Sequence, residues 1–212
     1  MFRKAGQRII GEGRYGQVFE NPIPNRVTKV MEDPHAMVDE VAMQRAAAEM
    51  NLAPAVTDSG MNEDGMPSIE MRDVRGNFER HGEEVRGFPE GMDAVRVNQQ
   101  LGQLALNNIY LGDRHNNNVF YNKMTGRPRQ IDFGISHKVE GYDKVQALTN
   151  ATSDGFEAAG IPEMGDMLRG IVFDYLEGGQ INEAMDVAKQ GFSRLQKIKE
   201  INPRVSGGID VI

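Results

Sequence analysis

The sequence of 212 residues contains no cysteine. That excludes disulfides, thiolate catalysis and cysteine-ligated zinc, and it fits a reducing compartment, so the expected location is the cytoplasm. An excess of basic charge is also missing. The formal net charge is -7 and the pI lies near 5.2, so no chain-wide positive field exists to hold a nucleic-acid backbone or an anionic membrane surface, and no nucleic-acid partner is expected. Long apolar runs are absent too: the basic start around Arg3, Lys4 and Arg8 is followed only by Ile9 and Ile10, far short of a signal-peptide core or a membrane span. Internal repeats and low-complexity tracts are not found. What is present is 39% hydrophobic and 26% charged residues, the balance of a chain that folds around a core, at a length that suits one domain or two small lobes.

Short strands broken by glycine and proline are expected from Gln7 to Val30: an apolar pair at Ile9 and Ile10, a glycine-rich turn, Val18 with Phe19, then Val27 to Met31. Met37, Val41, Ala48 and Leu52 then recur near helical spacing between Pro34 and Pro54. Ala55 to Ser59 and Ser68 to Met71 read as two more strands, residues 72 to 92 as irregular, and Asp93 to Ile109 as a strong amphipathic helix. A polar loop, Leu111 to Asn118, feeds a hairpin whose strands flank the turn from Asn122 to Pro128. From about Thr149 two or three helices follow, the last a charged amphipathic one near Asn182 to Glu200, with a frayed tail at Ser206, Gly207 and Gly208.

Three places carry chemistry. Gly11, Gly13 and Gly16 stand in a strand-turn-strand where backbone N–H groups could approach phosphate oxygens with no β-carbon in the way. Taken alone they could equally be an ordinary hairpin turn, but Val18 and Phe19 followed by Pro22 and Pro24 argue against the helix that a dinucleotide-binding fold would need there. Lys29 sits in the alternating strand Val27 to Val30, either exposed or turned inward; if inward it needs a partner, with Glu40 on the next helix the first choice and Glu49 the fallback. Asn118 immediately precedes one hairpin strand and Asp132 immediately follows the other, so an antiparallel hairpin brings an amide oxygen and a carboxylate to one point with Asp113 beside them. Hard oxygens in that number suit magnesium, which keeps several waters and completes its octahedron with substrate phosphates. A solvated asparagine-rich turn is the alternative if Asn116, Asn117 and Asn118 are considered alone.

Taken together and in order, from Gly11 to Gly134, these marks resemble the protein-kinase-like superfamily: a glycine loop, a strand lysine, a helix glutamate, an Asp-to-Asn catalytic loop and an Asp-Phe-Gly turn at Asp132, Phe133 and Gly134. The loop from Gly112 to Asn118 is most similar to that of phosphoinositide kinases and, less closely, of aminoglycoside-type phosphotransferases. The resemblance implies that Gly11, Gly13 and Gly16, with Val18 in the same loop, cover the phosphates of ATP, that Lys29 contacts them and that Glu40 orients Lys29. It implies that Asn118 and Asp132 hold magnesium and that Asp113 takes the proton of an acceptor hydroxyl. His115 would act as a second base or touch the transferring phosphate, Arg114 would pair with a carboxylate or phosphate, and backbone groups around Glu70 to Arg72, with Met71 just past the Ile69–Glu70 strand, would bind adenine.

The match thins after Gly134. No Ala-Pro-Glu mark follows, and His115 stands where many serine/threonine kinases carry lysine. The expected fold is therefore α+β, a minimal bilobal kinase-like chain. An antiparallel-sheet N-lobe over 1–72 and a mainly helical C-lobe over 73–212 would hold ATP and magnesium between them. The expected activity is transfer of the γ-phosphoryl of ATP to a hydroxyl on a protein, lipid or small molecule. Nucleotidyl (AMP) transfer on the same fold and a noncatalytic ATP-binding interaction module are the alternatives, the latter with a protein partner bound through the C-terminal helix.

Overall fold

The computed structural model describes residues 8–13, 16–80 and 90–198. The chain is α+β and divides into two compact units, one from Met1–Phe88 with Ile109–Lys138 and one from Pro89–Asn108 with Val139–Ile212. The expected tail at 206–208 lies outside the described residues. No helix among them is long and apolar enough to cross a membrane.

In the first unit, strands β1 (Ile9–Gly13), β2 (Gly16–Glu20), β3 (Arg26–Val30), β4 (Val56–Met61) and β5 (Pro67–Arg72) form one antiparallel sheet in the order β1-β2-β3-β5-β4. Helix α1 (Pro34–Glu49) lies between β3 and β4 in sequence and packs on β4 and β5. It begins cleanly because Asp33 caps it, the carboxylate accepting from the His35 N–H at 2.8 Å, and because Pro34 needs no N–H partner in the first turn. Val27, Met31, Val41, Ile69 and Met71 form the core between helix and sheet. Two smaller sheets complete the unit. One pairs β7 (Ile109–Tyr110) with β10 (His137–Lys138); the other runs β6 (Phe78–Glu79), β8 (Val119–Asn122), β9 (Pro128–Gln130).

The second unit is helical: α2 (Gly91–Leu106), α3 (Gly141–Ala158), α4 (Pro162–Glu177) and α5 (Ile181–Leu195), with α3 packed against the other three. Small residues set how closely they approach. A β-carbon on Gly102 would sit 2.1 Å from the Phe192 ring, and one on Gly155 would sit 2.5 Å from Leu195. The apolar stripe of α5, Ala184, Ala188, Phe192 and Leu195, is thereby spent on packing inside the unit. Gln99 donates to the Leu195 carbonyl at 2.8 Å, tying down the last turn of α5.

Two boundaries differ from the sequence expectation for the same reason. The helix expected to reach Ile109 stops at Leu106, and the one expected to reach Pro54 stops at Glu49; Asn108 and Asn51 each follow with φ near 60°. Asparagine tolerates this left-handed conformation better than other side chains and so ends a helix where apolar spacing alone would let it continue. Freed from α2, Ile109 and Tyr110 become a strand.

Candidate active site

The alternation of β3 decides the first side chain. Val27 and Lys29 share a face of the strand, and both are buried. An ammonium there needs anions, and it has two. Lys29 Nζ donates to Glu40 Oε1 at 2.7 Å and Oε2 at 2.9 Å, and to Asp132 Oδ1 at 2.8 Å. Glu40 is carried on the inward face of α1 beside Val41 and Gln44 and is only 1% exposed. Glu49, the other candidate partner, is exposed near the end of the helix.

Burial by itself would pull the Lys29 pKa down, but the charges of Glu40 and then Asp132 outweigh it and hold the ammonium above its ordinary value near 10.5. Burial pushes the Glu40 carboxyl up, and Lys29 brings it only part of the way back. One cation between two carboxylates leaves the cluster one negative charge in excess, which favours a further cation beside Asp132.

The second half of the site comes from the β8–β9 hairpin. Val119 pairs with Gln130, and the Ile131 N–H donates to the Asn118 carbonyl at 2.8 Å, so the chain leaves the hairpin with Asn118 and Asp132 brought together at its open end. Asn118 sits in a single turn of 3-10 helix (Asn116–Asn118), and its amide nitrogen donates to the Asp113 carbonyl at 3.2 Å. That bond orients the side chain and leaves its oxygen as the end for a metal. Asp132 has φ 60°, a conformation costing a non-glycine residue about 1 kcal/mol or more, and the Gly134 N–H returns to its Oδ1 at 3.3 Å. Phe133, next to it, is fully buried.

Asp113 is partly exposed and its Oδ1 lies 3.2 Å from His115 Nε2. The His115 Nδ1 is buried with no hydrogen-bond partner among the described residues. Arg114 pairs with no carboxylate among the described residues; its guanidinium lies 5.7 Å from the Tyr110 ring centroid. No group of three or more acidic, histidine or cysteine side chains among the described residues could hold a metal alone. The donor set is two oxygens, from Asn118 and Asp132, plus the excess negative charge. That fits magnesium, which takes one or two protein oxygens and leaves the remaining positions to water and phosphate.

The glycines divide into two kinds. Gly16 has φ 150°, and a β-carbon on it would lie 2.2 Å from the Val30 carbonyl oxygen, so the close approach of β2 to β3 requires it. Gly13 pairs with Gly16 across the turn, yet a β-carbon there would meet nothing within 4 Å. Among the described residues, then, no contact requires glycine at Gly13. Gly11 faces Val18 at ordinary contact distance.

Met71 is placed differently from the expectation: it lies inside β5 with Glu70, not beyond the strand. The strand is flanked by β3 and β4, so its backbone groups are used in the two ladders, while Glu70 pairs with Arg26 at 3.3 Å and Met71 is buried against Gln44. The first backbone past the strand belongs to Asp73 to Gly76. Two features had no sequence signal. The Lys29–Asp132 bond joins residues 103 positions apart. Gly112 is needed because a β-carbon would fall 2.7 Å from the Ile135 carbonyl oxygen, pressing the catalytic-type loop against the segment after Gly134.

No protein-family model matches the chain, and no curated protein matches it. Among solved structures, the kinase PK-1 of Cydia pomonella granulovirus is similar over 72% of this chain and 70% of its own, with a TM-score of 0.49 and 15% sequence identity.

Proposed function

We propose that the chain is an ATP- and magnesium-dependent phosphotransferase that moves the γ-phosphoryl group to a hydroxyl acceptor. The observation that carries this reading is the buried Lys29, held by Glu40 and Asp132 in one unit with the hairpin end that presents Asn118. A lysine buried at this cost is retained where an anion must be met by a fixed positive charge. Glu40 would keep the ammonium aimed, and Gly13, where a β-carbon would meet no described atom within 4 Å, would let backbone N–H groups close on phosphate oxygens. Asn118 and Asp132 would hold magnesium, which when bound neutralises charge on the phosphates. Asp113 would accept the hydrogen bond of the acceptor hydroxyl and take its proton late. His115, at 3.2 Å, would steady that carboxylate.

The loop around Asp113 resembles those of phosphoinositide kinases and aminoglycoside phosphotransferases, and the acceptor is a protein, lipid or small molecule, so the first panel should contain phosphoinositides, aminoglycosides and a generic protein. Full-length chain is incubated with magnesium and ATP labelled on the γ-phosphate, as wild type, Asp113→Ala and Asp132→Ala, beside ATP labelled on the α-phosphate. Transfer of γ-label, lowered about a hundredfold or more in each variant, is the expected result. Incorporation of α-label, or γ-transfer indifferent to both substitutions, would overturn it.

A further inference from the structure

The outer face of the three-stranded sheet β6-β8-β9 is a site that phosphotransfer does not use. Its inner face is buried through Val119, Tyr121, Pro128 and Gln130. The alternate residues point the other way, and there two arginines lie over two phenylalanines: Arg80 with its guanidinium carbon 4.7 Å from the Phe120 ring centroid, and Arg129 at the same distance from Phe78. Phe120 faces Arg129 in the β8–β9 register, and Phe78 lies on β6. Arg129 therefore reaches across the middle strand, and both guanidiniums lie above the β6–β8 half of the sheet.

These cations have almost no counter-charge. Arg80 makes no hydrogen bond or ion pair with any described residue. Arg129 donates from Nη2 to Asn51, a neutral group, while its Nε is buried with no partner. Burial lowers the pKa of both, and the charge of Arg72 at the end of β5 lowers that of Arg129 further. In a chain of net charge -7, two arginines on one face with no carboxylate bonded to them among the described residues are arranged for an anion brought from outside. The phenylalanine faces are covered by the guanidiniums, so stacking of nucleic-acid bases is not what the surface offers. It offers planar N–H forks, which match phosphate oxygens, and a phosphate monoester carries close to two charges and three acceptor oxygens at neutral pH.

We infer that this face, through Arg80 and Arg129, binds a phosphate monoester. The test is fluorescence polarisation with a neutral glycine-serine peptide carrying one phosphoserine, against its unphosphorylated parent, with inorganic phosphate as competitor. Wild type should bind only the phosphorylated peptide, and phosphate should displace it. Displacement at equal concentrations assigns the site to free phosphate; a large excess requirement assigns it to phosphate held on a chain. Arg80→Gln/Arg129→Gln should weaken binding about tenfold or more with an unchanged circular dichroism melt, and Arg80→Lys/Arg129→Lys, which keeps charge but not the forks, should lose most of that too. Arg194→Gln, an exposed charge on α5, should have no effect. The inference fails if the two peptides bind alike, if the glutamine pair binds as wild type does, or if Arg194→Gln costs as much.

Discussion

Replacing Lys29 by methionine tests whether the buried cluster behaves as the distances imply. The substitution keeps most of the side-chain volume but removes the ammonium from between two carboxylates, one of them 1% exposed. Breaking a buried ion pair by removing one member costs roughly 3–5 kcal/mol, because the remaining charge is stranded. Here Glu40 is already pushed up by burial and can escape by taking a proton, so the lower end, about 3 kcal/mol at neutral pH, is expected. With a urea slope of about 2 kcal/mol per molar, the midpoint of unfolding falls by roughly 1.5 M. The double variant Lys29→Met/Glu40→Met replaces the pair with apolar groups of similar size and should return to within about 1 kcal/mol of wild type. Because the chain has no tryptophan, unfolding is followed by far-ultraviolet circular dichroism. At pH 5 the single variant should lose less than at pH 7, since Glu40 is then easier to protonate. Magnesium-ATP binding should be lost in both variants, separating function from stability. A single variant within 1 kcal/mol of wild type, or a double variant no better than the single, would refute the account of Lys29 as a charge held in place by Glu40.

Two further outcomes follow from the same geometry. Gly16→Ala should destabilise the chain by about 2 kcal/mol, since its β-carbon would meet the Val30 carbonyl at 2.2 Å. Gly13→Ala should leave stability within about 0.5 kcal/mol while raising the KM for ATP severalfold; urea unfolding and steady-state kinetics on the same two variants check both. The pKa of Lys29 also sets a pH window. It is raised above its unfolded value near 10.5, so the stability it contributes is complete below that value and is lost as pH rises through the folded one. Alkaline urea titrations should show wild type weakening above about pH 10.5 more steeply than Lys29→Met/Glu40→Met.

Part of the site's geometry was legible residue by residue: Lys29 beside Glu40, and Asn118 with Asp132 at the open end of one hairpin, follow from where alternation and hairpin closure put such positions. Less legible were the ends of elements and the backbone near Met71. Apolar spacing carried the helices past Asn51 and Asn108, because it does not register a single residue's left-handed φ. Met71 read as lying past a strand because two ladders, on β3 and β4, extend β5 beyond its apolar residues.

The sequence by itself determined that β3 alternates, that Val27 and Lys29 share one of its faces, and that the hairpin closing on Asn118 and Asp132 brings those two residues together. All are consequences of periodicity and turn length over fewer than about twenty residues. Only the tertiary structure decided that the Lys29 face of β3 is buried, that Asp132 bonds Lys29, that Gly16 is required by Val30 while a β-carbon on Gly13 would meet no described atom within 4 Å, and that Arg80 and Arg129 share a face with no carboxylate partner among the described residues. Those facts join segments far apart in the chain. Pairings of that kind are set by how layers pack and which charges burial leaves uncompensated, quantities that no local pattern records.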